Sequence, residues 1–577
     1  MVRPVSLRSV VPVVYSLALA VAVLGPLVFS PGYLLLRDAV STPRSFPTDS
    51  ALGITDAAAR AVPQDALLAV VTVVVDGGVA VTVLLMAALW AAGWGAARLV
   101  ATLLPGRTSG LPAQLVAATV AVWNPYVAER LLQGHWSLLV GYAALPWVVC
   151  ATVAVRGGQR GGWWALAAWL AAAGLTPTGA VLAAITALAL LAAPGGTTWR
   201  WPRIAGGTAL SVVASMPWLV ATAVSGGGSD ADPAGVAAFA ARAEPLLGTL
   251  GSLAGLGGIW NADAVPGSRA TPWALVGTVA LLIVVACGLP ALWRRREPVT
   301  VTLAVLAVVA VLAPALAATA VGLRAGEWSM LHVPGAGLLR DTQKWVALAL
   351  PLYVLSAGAG IGGLRARFGG RDAVWATAAV LVVLVATPDL VWGVGGRVRP
   401  VQYPAGWRQV AGIVTADDGD VAVLPAGMFR RFEYSGRAAV LDPAPRMLRA
   451  DVLQTGQLVV AGGAVAGEGR RAADVETLLL AGADPGELAA RGVGWVLVEH
   501  GTPGELGESQ RTLDGLERVH GDAELSLYRV PGASRQPADR DAAVAAHVLW
   551  ALLLGGGAAG GLAVRLRGQA RAAREQT

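Results

Sequence analysis

Lysine is nearly missing from this 577-residue chain: of its 43 basic residues, all but Lys344 are arginines. Charge of either sign is scarce, with Asp, Glu, Lys and Arg making up 14% of the residues, which excludes an ordinary soluble globular protein. The net charge of +7 sits in short arginine clusters beside apolar runs, as the cytoplasmic flanks of membrane helices do, so it does not describe a nucleic-acid-binding face. The two cysteines, Cys150 and Cys287, both fall in apolar runs, with neither zinc spacing nor a disulfide framework. There is no Walker loop, no HExxH, no CxxC pair and no GxSxG in a strand-to-helix setting, so the chemistries those motifs serve have no support.

Apolar sequence fills the space: hydrophobic residues reach 55% and the mean hydropathy is +0.62. A bilayer-crossing helix needs roughly 17 to 25 such residues. Runs near 10–29, 78–103, 111–123, 137–155, 163–175, 178–194, 204–223, 271–293, 299–322, 344–361, 372–393 and 542–564 predict about twelve helices in a polytopic α-helical membrane protein. The first run follows Arg3 and Arg8 like a signal peptide, but it ends in Phe29-Ser30-Pro31 and not in a small-x-small site, so a retained helix is expected.

With the N-terminus in the cytoplasm, the inner segments carry Arg98, Arg156, Arg160, the triplet Arg294 to Arg296, Arg365 and the tail, as the positive-inside rule requires. The C-terminus is then cytoplasmic as well, and the protein is a multi-pass component of the plasma membrane. Residues 394–538 fall outside and are mildly acidic, with 15 Arg against 18 Asp plus Glu. Strand patterns at Val421–Pro425, Val493–Val498 and Leu525–Val530, and helix patterns at Ala472–Leu480 and Pro485–Arg491, predict a small extracytoplasmic α/β domain there. The division is a membrane core over 1–393, this domain over 394–538, and a final helix with a basic tail over 539–577.

Polar chemistry gathers in the outer connections. The first loop holds Asp38 between Arg37 and Arg44; a carboxylate so placed suits a general base or a salt-bridged loop residue, and Asp49, Asp56 and Asp65 compete with it. In Trp123 to Trp136, a helical turn opened by Pro125 places Tyr126, Arg130 and Gln133 on one face with His135 just beyond. That face suits a phosphate or a sugar; the alternative is an interfacial hairpin with Trp123, Tyr126 and Trp136 in the aromatic belt. A helix beginning near Asp341 sets Arg340 and Lys344 one turn apart, with Gln343 adjacent, which is chemistry for a phosphate. Snorkelling anchors with Asp341 as N-cap are the other reading. The glycine-rich stretch 225–271, with Asp230, Asp232 and Asn261, is a candidate acceptor flap or a merely mobile loop. Asp76 stands in a short interval between apolar runs, and Asp417-Asp418-Gly419-Asp420 reads as a solvated turn.

The membrane-proximal Asp38, Asn124-Pro125 through His135, Leu339-Arg340-Asp341-Thr342-Gln343-Lys344 and the late outer domain together resemble actinobacterial polytopic glycosyltransferases of the C superfamily. The likeness is to arabinofuranosyl- and mannosyltransferases, and more distantly to lipoteichoic-acid-glycosylating membrane proteins. The resemblance implies an enzyme that moves a sugar from a polyprenyl-phosphate donor to a cell-envelope glycan or lipid on the outer face of the membrane. It implies Asp38 as the catalytic base, and Arg340, Gln343 and Lys344, with Arg44, Arg130 and His135, as the groups that bind the lipid phosphate and substrate. Around Asp38 the paired acidic motif of better-defined members is missing, so no metal ligand is expected and a role for a divalent cation stays open. Two other classes fit the same basic cavity: a flippase for lipid-linked saccharides, and a non-catalytic assembly protein.

Overall fold

The computed structural model of the chain describes residues 7–56, 59–225, 232–460, 463–535 and 538–574. Arg3 and Asp230 lie outside the described residues.

All twelve apolar runs form helices, and eight of those helices are long and apolar enough to cross a membrane, or nine with one bent pair counted as a single span. The shortfall is one of length. Leu111–Val122, Arg160–Ala173 and Pro177–Ala192 have 12, 14 and 16 residues, which at ~1.5 Å per residue fall short of a ~30 Å hydrocarbon core. The run at 372–393 breaks at Pro388, which cannot donate a helical hydrogen bond, and the two pieces meet at 75°.

Helix starts follow local chemistry. Asp76 caps Gly77–Leu103, accepting from the amides of Gly78 at 2.9 Å and Val79 at 3.3 Å. This accounts for an acidic residue between two apolar runs. Asn124 caps Pro125–Gln133, with Pro125 in the first turn, where its missing N–H costs nothing. The hydrophobic core lies where Gly77–Leu103 packs against Leu7–Phe29, Leu111–Val122 and Trp136–Arg156, and it extends to Leu350–Phe368. The Thr342–Phe368 span is the most enclosed, 89% buried against 22% for Pro298–Ala317, so its N-terminal residues enter the protein interior and not lipid. The last helix, Asp541–Arg574, lies along Arg160–Ala173 and Arg200–Ser225.

Residues 400–530 fold around a four-stranded sheet in the order Glu517–Gly521, Leu525–Arg529, Val493–Glu499, Asp420–Leu424. The first three strands are antiparallel and the fourth is parallel to Val493–Glu499. The strands and helices expected from periodicity are present; the edge strand Glu517–Gly521 was hidden by its exposed, charged residues. This unit is joined to the first loop, because Pro400–Val401 pairs with Tyr33–Leu36, and Leu441 donates its amide to the carbonyl of Arg37 at 2.8 Å.

Candidate active site

Asp38 occupies a two-residue turn. Tyr33–Leu36 and Ala39–Val40 pair antiparallel with Leu36 opposite Ala39, which leaves Arg37 and Asp38 as the loop. Arg37 has a φ of +50°, in a region that favours glycine. It is held there by its guanidinium, which donates to the carbonyls of Leu132 at 2.5 Å and Asp263 at 2.6 Å. The turn rests on Gly134, whose own φ is +86° and whose missing side chain leaves room for the backbone of Leu36 and Ala39. Close approach lets the Asp38 amide reach the carbonyl of Gln133 at 3.1 Å.

The carboxylate of Asp38 receives two side-chain hydrogen bonds, both on Oδ2, from Gln133 Nε2 at 3.1 Å and His135 Nε2 at 2.9 Å. The other ring nitrogen of His135 fixes the direction of that bond. Nδ1 lies 2.9 Å from Arg130 Nη1, and a guanidinium can only donate. Nδ1 therefore accepts, the imidazole is neutral, and its proton sits on Nε2, pointing at Asp38. Burial acts to raise the Asp38 carboxyl, but the hydrogen bonds from His135 and Gln133, with Arg60 nearby, outweigh it and hold the group below its ordinary value. The side chain is 30% exposed, enough to admit a reactant.

Arg130 is fully buried and continues the array. It grips Asp341 with both terminal nitrogens, at 2.7 and 3.2 Å, and also donates to Gln343. Burial would raise Asp341, yet the charge and bonds of Arg130 bring it down to about 2. Gln343 donates onward to Glu129 at 3.1 Å, and Glu129 accepts from the amides of Gly258 and Ile259, each at 3.1 Å. Burial and the nearby Glu244 push the Glu129 carboxyl well up. Asn261 donates to Gln133 at 2.8 Å, so the described part of the 225–271 stretch packs against the site instead of ranging freely.

Lys344 is buried and its ammonium makes no hydrogen bond and no ion pair among the described residues; its ring contact is Trp345, 5.8 Å away. The carboxylate closest in sequence, Asp341, is already engaged by Arg130. A buried cation without a partner is costly unless something outside the chain neutralises it. Arg340 likewise forms no ion pair: it lies over Phe239 at 4.6 Å, and burial, with Arg60 nearby, pulls it down to about 10.

No family model and no curated protein matches the sequence. Two solved structures do match in fold, both cryo-EM classes of the arabinofuranosyltransferase AftD from Mycobacteria. One has a TM-score of 0.55 at 18% identity, covering 92% of this chain and 42% of that one; the other has 0.54 at 17%, covering 91% and 42%. The chain therefore shares its fold with part of that transferase. This chain corresponds to less than half the length of that transferase.

Within this fold, the expected residues divide. Asp38, Arg130, His135 and Gln343 form one connected array, and Lys344 lies beside it, held by the bond from Tyr126 Oη to its carbonyl at 3.1 Å. Arg44 stands apart: it donates to the carbonyls of Ser45 and Ala69 and to Thr72 Oγ1, organising the loop end. The other first-loop acids are also engaged. Asp49 pairs with Arg540 at 2.5 Å, Asp56 accepts the amide of Arg471 at 2.8 Å, and Asp65 pairs with Arg446 at 3.0 Å. Trp123, Tyr126 and Trp136 are buried and do not form an interfacial belt.

The helix expected to begin near Asp341 differs too. Thr342–Ala349 is a 3-10 segment, Asp341 makes no cap, and Arg340 and Lys344 do not share an α-helical face. Sequence reading missed Asp341 as the partner of Arg130, because the pairing joins segments 211 residues apart. Among the described residues no three His, Cys, Asp or Glu side chains converge in a metal-ligating arrangement.

Proposed function

We propose that the chain is a membrane glycosyltransferase that takes a sugar from a polyprenyl-phosphate donor and transfers it to a cell-envelope glycan or lipid on the outer side of the cytoplasmic membrane. One observation carries this reading: an ionised carboxylate, Asp38, oriented by a neutral histidine, belongs to an array beside which the Lys344 ammonium is buried with no hydrogen bond or ion pair among the described residues. A base and a phosphate clamp are the two groups such a transfer needs.

In the reaction, the acceptor oxygen bonds to the anomeric carbon of the donor as its proton passes to Asp38. Oδ2 is occupied by Gln133 and His135, so Oδ1 takes the proton. The bond from the anomeric carbon to the phosphate oxygen breaks, and the electron pair leaves with the polyprenyl phosphate. Lys344 and Arg340 stabilise the charge gathered there. Arg130 is committed to Asp341, Gln343 and His135, so its part is to hold the array and fix the histidine tautomer. The α/β unit of 400–530 is outside the membrane and supports the first loop through its pairing with Tyr33–Leu36.

Purified protein supplied with a radiolabelled polyprenyl-phosphate sugar and a synthetic glycan acceptor tests this. Labelled glycan is expected. Movement of labelled donor across vesicles with no product for any acceptor would overturn the transferase reading in favour of a flippase.

A further inference from the structure

A cavity of about 300 Å³ opens where three separate stretches meet: the end of the first loop, the α/β unit and the segment leading into the last helix. That volume is at the lower end of the ~300–1,000 Å³ typical of small-ligand sites. Its apolar wall is Phe46, Pro47 and Ala416; its polar wall is Asp420, Asp451 and Arg449, closed by Arg535 and Arg540.

The walls are fixed by contacts among themselves. Asp49 binds Arg540 at 2.5 Å and Arg535 at 3.4 Å, and the amides of Asp49 and Ser50 donate to Asp451 at 3.0 and 2.7 Å. Arg471 holds Asp420 at 2.6 Å. Burial raises the carboxyls of both Asp420 and Asp451. Arg449 is different. It is exposed, has no hydrogen bond or ion pair among the described residues, and lies over Phe46 at 5.4 Å, with Arg44 over the same ring at 5.0 Å.

Two carboxylates and three guanidiniums line this cavity, and Asp49 engages two of the three guanidiniums, so no single sign of charge dominates. Such a wall accepts from and donates to adjacent hydroxyls, while Pro47 and Ala416 offer apolar surface to the C–H face of a sugar and Phe46 holds the Arg449 guanidinium in place. We propose that this cavity binds a neutral oligosaccharide segment of the acceptor, at a site separate from the Asp38 array; its tie to the acceptor rests on the transferase reading. The first loop links the two. Eight residues separate Asp38 from Phe46, a span of at most about 28 Å, so one glycan chain of several sugars can reach both.

Equilibrium binding to the full-length protein in detergent, with a linear arabinofuranose hexasaccharide as probe, tests the site without requiring transfer. Arg449 makes no hydrogen bond or ion pair among the described residues, so Arg449→Ala is a clean variant. It should weaken binding roughly tenfold or more, as loss of a charged hydrogen-bond donor does. Phe46→Ala should do the same, while Asp38→Asn should bind the hexasaccharide unchanged. In transfer assays Arg449→Ala should raise KM for the hexasaccharide and leave kcat and the KM of a disaccharide acceptor as they were. Saturable binding that depends on Arg449 would sustain the site even if no transfer were seen. No binding, binding indifferent to both variants, or displacement of the probe by millimolar inorganic phosphate would overturn it, the last by showing an anion site.

Discussion

Gly134→Ala is the sharpest structural perturbation of the Asp38 array, because it changes no group with chemistry. An added Cβ would lie 2.5 Å from the carbonyl oxygen of Leu36 and closer still to the amide nitrogen of Ala39, both backbone atoms of the hairpin that carries Asp38. Neither atom can rotate away, so the hairpin has to retreat by about 1 Å to reach ordinary contact. The 2.9 Å bond from His135 to Asp38 would then stretch beyond hydrogen-bonding range. Holding alanine at a φ of +86° adds about 1–2 kcal/mol of backbone strain. A misplacement of ~1 Å costs on the order of 10²-fold in rate. The assay is kcat for sugar transfer alongside thermal unfolding in detergent. A loss near a hundredfold with a modest drop in Tm is expected; full kcat in a variant that keeps the wild-type Tm would refute the view that this contact sets the position of Asp38.

Other predictions follow from the same array. In His135→Leu, Asp38 loses the interaction that does most to lower it, so the acid limb of the pH–rate profile should move upward and kcat should fall with donor KM unchanged; a raised donor KM with an unmoved limb would make His135 a phosphate ligand instead. Lys344→Gln removes a cation with no hydrogen bond or ion pair among the described residues, so Tm should hold while donor affinity falls roughly 10- to 100-fold, and equal donor affinity would return Lys344 to a structural role. Asp341 is lowered in the folded state from 3.8 to about 2, so its stabilisation is complete above about pH 4 and is lost as pH falls toward 2. At 1.36 kcal/mol per unit this is about 2 kcal/mol. Acid unfolding of Asp341→Asn should lack that component, and an unchanged acid profile would count against the pairing with Arg130.

Much of this was legible in the chain. The helical runs, the strands of the α/β unit and the Pro125 helix with Arg130 and His135 at its end all follow from periodicity, capping and proline placement, which are local. Three of the apolar runs form helices of 12, 14 and 16 residues, because Asn124 and Pro125 end one run and Gly174, Thr176 and Pro177 separate the other two, breaks that apolar composition does not report. Arg44 was expected among the phosphate- and substrate-binding groups, but the fold turns it onto the carbonyls of Ser45 and Ala69, while Arg37, not singled out in sequence, braces the Asp38 turn against Leu132 and Asp263. The assignment of Arg130 as a ligand for phosphate is replaced by an internal role, since Asp341 arrives from 211 residues away to occupy it. Lys344 was conspicuous by rarity, but that its ammonium has no hydrogen bond or ion pair among the described residues is a property of packing and could not be read from composition.

The central claim is that Asp38 receives the acceptor proton. Single-turnover transfer by Asp38→Asn, with donor binding measured in the same preparation, addresses it directly, since asparagine keeps the shape and the bonds to Gln133 and His135 in altered form but cannot take a proton. Loss of a general base typically costs about 10²- to 10⁴-fold. The account predicts a fall of that size with donor affinity retained; transfer at the wild-type rate would contradict it.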